Sequence, residues 1–339
     1  MKNILVIGGT RNMGYAFTKE LVASGHRVTI LNRGIQGDDL DNSVSRLHVD
    51  RTDVTQMRRA LLAKSFDVVV DFVLYNTQEA QTIVDLLKNN VGHYIALSSG
   101  QVYLVRENIE RPFSEDQYEG RLLPAPKLNT YAYEEWRYGM DKRGAEDILA
   151  KAHADFGFPY TALRLPMVNS ERDPLKRLYS YILRLRDGGP ILLPETPNHV
   201  LRHIYAGDAV RALMLVLDSD QTKGRAYNFS QDETVSIDEF LKLLASLLGV
   251  KARLRRFKHS ELEANGFLPD CSPFSDRWMS ELTNDVSKSE LGMTYTPLPD
   301  YLEALVAVYD ATKHPVPVGY RRRHAEIQFA ESQQPIQGS

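Results

Sequence analysis

The first residues with chemistry in their spacing are the glycines of Gly8-Gly9-Thr10-Arg11-Asn12-Met13-Gly14. They follow a short apolar strand, Lys2–Ile7, and precede an amphipathic helical pattern, Met13–Ser24. A glycine-rich turn in that context lets the backbone approach a pyrophosphate, which then sits on the positive end of the helix. Gly8 makes the tight turn, Gly14 allows the helix to pack closely on the strand, and Thr10, Arg11, Asn12 and Met13 complete the cradle. The end of the second strand chooses the cofactor. NAD binders carry an acidic residue there, roughly 20 residues past the glycines, to bond the ribose 2′-hydroxyl. This chain has Asn32 followed by Arg33. Asn tolerates a 2′-phosphate and Arg binds it. Arg11 can reach the same phosphate, so NADP(H) is the expected cofactor, with NAD(H) the alternative.

The rest of the composition bounds the problem. The 339 residues are 43% hydrophobic and 25% charged, the profile of a globular protein. A net charge of −3 gives no general attraction for nucleic acid or an anionic membrane. The short Arg321–Arg323 run reads as a solvated surface patch. The single cysteine, Cys271, reads as structural, and no Cys/His cluster has metal-ligand spacing, so no metal is expected. The first strand starts almost at once and no apolar run approaches transmembrane length, so a cytoplasmic location without membrane contact is expected.

Periodicity supplies the elements that must position the cradle. Strands are predicted at Arg27–Asn32, Arg46–Val49, Asp67–Val73 and His93–Ser98. Helices are predicted at Thr55–Lys64, capped by Asp53 or Thr52, and at Gln78–Asn89. The alternation implies an α/β fold, a doubly wound parallel sheet of Rossmann type with a smaller mixed α/β C-terminal region. A proline-marked excursion fills 104–137, and a helix follows at Tyr138–His153. The predicted organisation is a dinucleotide domain over 1–165, with 200–232 returning to it, a substrate-binding region over 166–199 and 233–325, and a disordered tail over 326–339.

Several ordered segments resemble one family. They are GGTRNMG at 8–14, DVVVDFV at 67–73, SSGQVY at 98–103, YGMDK at 138–142 and LRLPMV at 163–168. Together they resemble the extended short-chain dehydrogenase/reductases, the NAD-dependent epimerase/dehydratase family, in a subgroup with a GGTRxxG turn. The resemblance implies Tyr138 as general acid/base, Lys142 as the ribose-binding residue that lowers the tyrosine pKa, and Ser99 as the hydroxyl on the substrate oxygen. It implies that Asp50 contacts adenine, that Pro166 in the fifth segment borders the cofactor, and that the protein is a homodimer. The chemistry is consistent with those roles. Tyr138 and Lys142, at i and i+4, share one helix face, and an ammonium beside a phenol favours the phenolate.

Departures narrow the reaction. Met167, Leu201, Gly100 and Gln101 stand where sugar-nucleotide epimerases and dehydratases carry their signature Asn, Arg and acidic pair. The expected activity is therefore NADP(H)-dependent hydride transfer to or from a carbonyl or secondary alcohol of a small molecule. A sugar epimerase with retained cofactor and a non-catalytic RNA-binding Rossmann protein are the alternatives, although no nucleic-acid partner is expected. Tyr131, Tyr133, Trp136, Met167, Phe274 and Trp278 are candidates for an apolar pocket wall, and His203 and Tyr205 for its rim.

Overall fold

The computed structural model describes residues 1–35 and 37–333. The chain opens β1 (Asn3–Ile7), α1 (Asn12–Ala23), β2 (Arg27–Asn32), β3 (Ser45–His48), α2 (Val54–Leu61), β4 (Phe66–Asp71) and α3 (Thr77–Leu87). It continues β5 (Val91–Ser99), α4 (Gln101–Leu104), α5 (Tyr131–Phe156), β6 (Tyr160–Leu165), β7 (Val168–Asn169), α6 (Arg177–Arg186), β8 (Ile191–Pro194) and β9 (Ile204–Tyr205). It closes α7 (Ala206–Leu217), β10 (Arg225–Asn228), α8 (Ile237–Leu247), β11 (Leu254–Phe257), α9 (His259–Ala264), α10 (Asp285–Leu291), α11 (Leu298–Ala311) and α12 (Arg323–Ser332). Two compact units result. The first comprises Met1–Val168, Ala206–Ser230 and Ser280–Tyr295; the second comprises Asn169–Tyr205, Gln231–Met279 and Thr296–Ser339.

The first unit is a seven-stranded sheet in the order β10-β6-β5-β4-β1-β2-β3, parallel at every pairing. Val68, Val69 and Val70 of β4 and Ile4, Leu5 and Val6 of β1 are fully or almost fully buried, as a central strand covered on both faces requires. Ile7 pairs with Leu31 on one side and Asp71 on the other. Connections leave β1 and β4 in opposite directions, which opens a crevice beyond their carboxyl ends.

Local chemistry fixes the helices. Asp53 accepts the Gln56 N–H at 3.0 Å and Asn76 accepts that of Glu79 at 3.0 Å, so both cap their helices. Helix α5 begins at Tyr131, not Tyr138: Thr130 accepts the Tyr133 N–H at 3.2 Å, so YAYEEWRY forms the first turns. Pro124 and Pro126, which mark the excursion, end before the capping threonine. Gly157 ends α5 in the left-handed region at φ 74°.

Residues 280–295, expected with the rest of 233–325, belong to the first unit. The Phe113 N–H donates to Glu281 O at 2.7 Å and the Thr283 N–H to Phe113 O at 2.9 Å. Ser230 Oγ donates to Leu282 O at 2.7 Å. Such backbone pairing between distant segments leaves no periodic mark in the sequence.

In the second unit β11 pairs with β8 in parallel, and α8 packs against α6 and α11. The expected disordered tail over 326–339 is corrected in its first part, because α12 runs through Ser332. Arg184, fully buried, forks onto Glu326 at 2.6 and 3.0 Å. Arg323 joins it, bonding both carboxylate oxygens of Asp187 at 2.7 Å. Arg323 is therefore a buried ion-pair residue, not part of a solvated patch. Residues 334–339 of the expected tail lie outside the described residues. Cys271 is buried and its thiol is pushed up to about 12 by burial, which suits a structural role. Among the described residues, no helix is long and apolar enough to cross a membrane, and no group of three or more His, Cys, Asp or Glu could hold a metal.

The turn after β1 depends on its glycines. Gly8 has φ 94°. A Cβ on Gly9 would press into Val6 and stand 2.7 Å from Thr18 Oγ1, while one on Gly14 would lie 3.2 Å from Gly9 Cα. Thr18 donates to Gly9 O and sits 2.8 Å from Gly14 O. Gly9→Ala is expected to destabilise the protein by about 1–3 kcal/mol through overpacking, measured by urea unfolding. An unchanged midpoint would show that the turn has room to spare.

Candidate active site

A cavity of about 330 Å³ opens beyond the carboxyl ends of β1 and β2. Its lining includes Gly8, Thr10 and Arg11 of the glycine turn, Asn32 and Arg33 at the end of β2, and Asp50, Arg51 and Thr52 after β3. Tyr75 and Glu79 close the side toward α3. Asn32 accepts the Gly34 N–H at 2.9 Å and its amide lies 3.4 Å from Thr10 Oγ1. No carboxylate therefore occupies the end of β2. Asp50 accepts the Thr52 N–H at 3.0 Å and its hydroxyl at 2.8 Å. Those bonds, helped by Arg33, hold its carboxyl below the ordinary range.

Five expected cofactor residues lie outside that lining: Asn12, Met13, Gly14, Lys142 and Pro166. Gly14 acts through packing, buried against Gly9 and Phe72. Asn12 holds φ 46° at the first turn of α1 and keeps its side-chain oxygen buried without a hydrogen-bond partner. Met13 turns with the helix, and Pro166 follows β6, three strands away from β1 in the sheet.

A second cluster lies at the carboxyl end of β5. Ser99 ends that strand and accepts the Gln101 N–H at 3.2 Å, and its hydroxyl acts on the Tyr138 phenol, favouring the phenolate. Ser98, the other serine of the motif, is engaged elsewhere: it donates to Glu146, which is ion-paired with buried Arg164 at 2.6 Å. Strand alternation thus assigns one serine to the core and one to the site. Tyr138 stands in the third turn of α5, with Lys142 one turn on. The Lys142 ammonium is buried and donates to Leu97 O at 2.9 Å and Leu74 O at 2.5 Å. It lies 5.8 Å from the Tyr138 ring centre and 5.0 Å from that of Tyr75.

The electrostatics differ from expectation at the tyrosine. Burial pushes the Tyr138 phenol up to about 12, and the Ser99 side chain only partly opposes this. Lys142 is held by two carbonyls and makes no hydrogen bond to the phenol, so the expected lowering is absent. Lys142 itself is brought down to about 8 by burial, against the pull of Asp71 and Glu146. The cluster thus pairs a protonated phenol with an ammonium that titrates near neutrality.

Two of the six residues of the expected pocket wall are core. Phe274 and Trp278 are buried in the second unit. Phe274 packs on His203 at 4.7 Å, Tyr181 at 5.3 Å and Phe240 at 5.6 Å. His203 is fully buried and brought down to about 3 by burial, so it is a neutral packing residue. Tyr205 stacks on Tyr301 at 5.5 Å. Trp136 anchors its indole N–H on Leu123 O at 3.0 Å, Tyr133 lies against it, and Met167 is half-buried. Tyr131 remains exposed.

Sequence reasoning passed over Gly9, Arg51, Asp71, Tyr75 and Glu79. The signal for Asp71 was present: a carboxylate ends the otherwise apolar run of β4. Nothing in the sequence ties Arg51 to it.

Comparison with known proteins places this geometry. The model of the NAD dependent epimerase/dehydratase family matches residues 4–230. Among curated relatives, the chain is 26% identical over 263 residues to the chloroplast stem-loop binding protein of 41 kDa b of Arabidopsis thaliana, covering 73% of this chain. It is 24% identical over 225 residues to the 2′-dehydrokanamycin reductase of Streptomyces kanamyceticus, covering 65% of this chain. The matches span 64% and 59% of those relatives' own lengths. The fold is similar to the dTDP-glucose 4,6-dehydratase of Bacillus anthracis in complex with NAD, with TM-score 0.73, 15% identity, and coverage of 92% of this chain and 97% of that one. The matched span holds the glycine turn, Ser99, Tyr138 and Lys142 together, and the chain belongs to the NAD dependent epimerase/dehydratase family, the extended short-chain dehydrogenase/reductases.

Proposed function

We propose that this protein is an NADP(H)-dependent oxidoreductase that moves a hydride between the nicotinamide and a carbonyl or secondary alcohol of a small molecule. The observation that carries the reading is the buried Lys142 ammonium one helical turn from Tyr138 and 5.8 Å from its ring centre, with the Ser99 hydroxyl acting on the phenol.

The residues present fit such a cofactor. A Cβ at Gly8 would meet Val73 at 3.0 Å, so only glycine leaves the cradle open. The cavity carries Arg11 and Arg33 on its lining and Asn32 at the position that would need a carboxylate for a free 2′-hydroxyl. Gly8, Thr10 and Arg11 would hold the pyrophosphate side, Arg11 and Arg33 a 2′-phosphate, Asp50 the adenine and Lys142 the nicotinamide ribose. The nicotinamide, when bound, supplies or accepts the hydride.

The chain's own groups handle the proton. Ser99 donates a hydrogen bond to the substrate oxygen and fixes it beside Tyr138. The phenol, protonated throughout the neutral range, gives its proton to the oxygen as negative charge develops there during reduction. The Lys142 ammonium stabilises the phenolate left behind. In the oxidation direction the same proton returns to Tyr138. The name of the Streptomyces relative, 2′-dehydrokanamycin reductase, favours reduction. The stem-loop binding relative favours a second reading as an RNA-binding protein; the intact Ser–Tyr–Lys cluster argues for catalysis.

Tyr138→Phe should lower kcat by roughly 10²–10⁴-fold while cofactor affinity changes little, with NADPH oxidation against a carbonyl panel as the assay. Full turnover in that variant would overturn the role of Tyr138, and salt-dependent RNA binding unaffected by it would favour the second reading. Fluorescence titration should show NADPH binding more tightly than NADH, with Arg33→Ala erasing roughly tenfold of that preference. Equal affinities in the wild type would count against the phosphate assignment. The Lys142 ammonium is charged below about 8 and neutral above, so reduction should decline as pH rises through that value. Lys142→Arg, permanently charged, should remove the decline.

A further inference from the structure

Between β4 and α3 the chain makes a short turn, Phe72–Asn76, whose Leu74 carbonyl accepts the Lys142 ammonium at 2.5 Å. The residues on either side of Leu74 are each held by a carboxylate. The Val73 N–H donates to Asp71 Oδ1 at 2.9 Å. The Tyr75 N–H donates to Glu79 Oε2 at 2.7 Å. Both carboxylates meet one guanidinium: Arg51 bonds the two oxygens of Asp71 at 2.8 and 3.0 Å and lies 3.4 Å from Glu79. Asp71 is fully buried and also accepts the Tyr94 phenol at 2.8 Å. Arg51 itself is on the lining of the nucleotide cavity.

We propose that Arg51 is a positioning residue for the active-site lysine: by hydrogen-bonding Asp71 and ion-pairing with Glu79 it steadies both flanks of Leu74, and so keeps the Leu74 carbonyl on Lys142 Nζ. The inference rests on the reading of Lys142 as part of the catalytic cluster. It goes beyond that reading by assigning the lysine's placement to a residue on the far side of the turn, in the wall of the nucleotide cavity.

Three features support the clamp over a merely structural ion pair. The two carboxylates spend one oxygen each on consecutive flanks of the same carbonyl, so the pair acts on one backbone group. Leu74 turns its own side chain into the sheet core, so its carbonyl is left to face Lys142. The charges that face Lys142 are Asp71, Glu79 and Arg51 from this network, and Glu146 from its own helix. Tyr75 and Tyr138 present their rings to it. Three of the four charged groups are therefore the clamp itself.

The test reads Lys142 directly. Competitive labelling with acetic anhydride across pH, followed at Lys142 by mass spectrometry, gives the titration midpoint and the accessibility of the amine separately, with no need for substrate or cofactor. In wild type the midpoint is expected near 8. Arg51→Gln removes a cation and leaves the carboxylates, so the midpoint should rise. The accessible reactivity at full deprotonation should increase several-fold as Leu74 is released. Glu79→Gln keeps an acceptor for the Tyr75 N–H but removes a negative charge, so the midpoint should fall with little gain in accessibility. Arg51→Lys should restore most of the wild-type behaviour. A role confined to stability would shift the unfolding temperature without these opposite movements. Unchanged midpoint and reactivity in folded Arg51→Gln would overturn the proposal. If Arg51→Gln does not fold, an unmoved midpoint in Glu79→Gln overturns it instead. Because labelling is independent of turnover, a failed carbonyl assay would sink the proposed activity and leave this test standing.

Discussion

Burying a primary ammonium at the ends of a parallel sheet is the constraint that organises this molecule. Lys142 has three hydrogens to satisfy and almost no water to satisfy them with. The structure supplies carbonyls from two adjacent connections, Leu97 at the end of β5 and Leu74 beyond β4. Both are available only because β4 and β5 are neighbours and parallel, so that their carboxyl ends finish side by side. Helix α5 must then cross these ends at a height that brings one turn of its face, Tyr138 and Lys142, onto them. The capping of α5 at Thr130 sets that height.

Around this ammonium the charges are layered. Glu146 is committed to Arg164, which is in turn bonded to the Tyr103 phenol at 2.7 Å. Asp71 and Glu79 are committed to Arg51. Each buried carboxylate has a guanidinium partner and further hydrogen bonds, the condition under which buried charge is tolerated. The consequence for chemistry is an ammonium whose proton is loosely held beside a phenol whose proton is tightly held. That ordering suits a site that donates a proton to an oxygen and then has to stabilise the phenolate.

Much of the first unit was legible in the sequence because its signals are local. The glycine turn, the Val-rich strand and the capping residue Asp53 each act within a few residues, and these elements formed within about three residues of their expected places. Ser99, Tyr138 and Lys142 were legible through the ordered motifs. The start of α5, the return of 280–295 and the helix over Arg323–Ser332 were not. Each depends on a partner distant in the chain or on a cap that competes with an irregular reading: Thr130 for α5, Phe113 for 280–295, and Arg184 for Glu326. The aromatic residues read as a pocket wall shared the types of a wall, but burial of Phe274 and Trp278 made them core.

The sequence by itself determined the parallel α/β sheet, a glycine turn with arginines and no carboxylate at the end of β2, and the motif positions Ser99, Tyr138 and Lys142 proposed to act in catalysis. These follow from periodicity, turn chemistry and residue type, which act over short stretches of chain. Only the tertiary structure decided that Ser98 turns to Glu146, that the phenol is raised by burial, and that Arg51 reaches Lys142 through Asp71, Glu79 and a carbonyl. Those outcomes depend on desolvation and on hydrogen bonds between segments that meet only when the strands are assembled, so no local pattern encodes them.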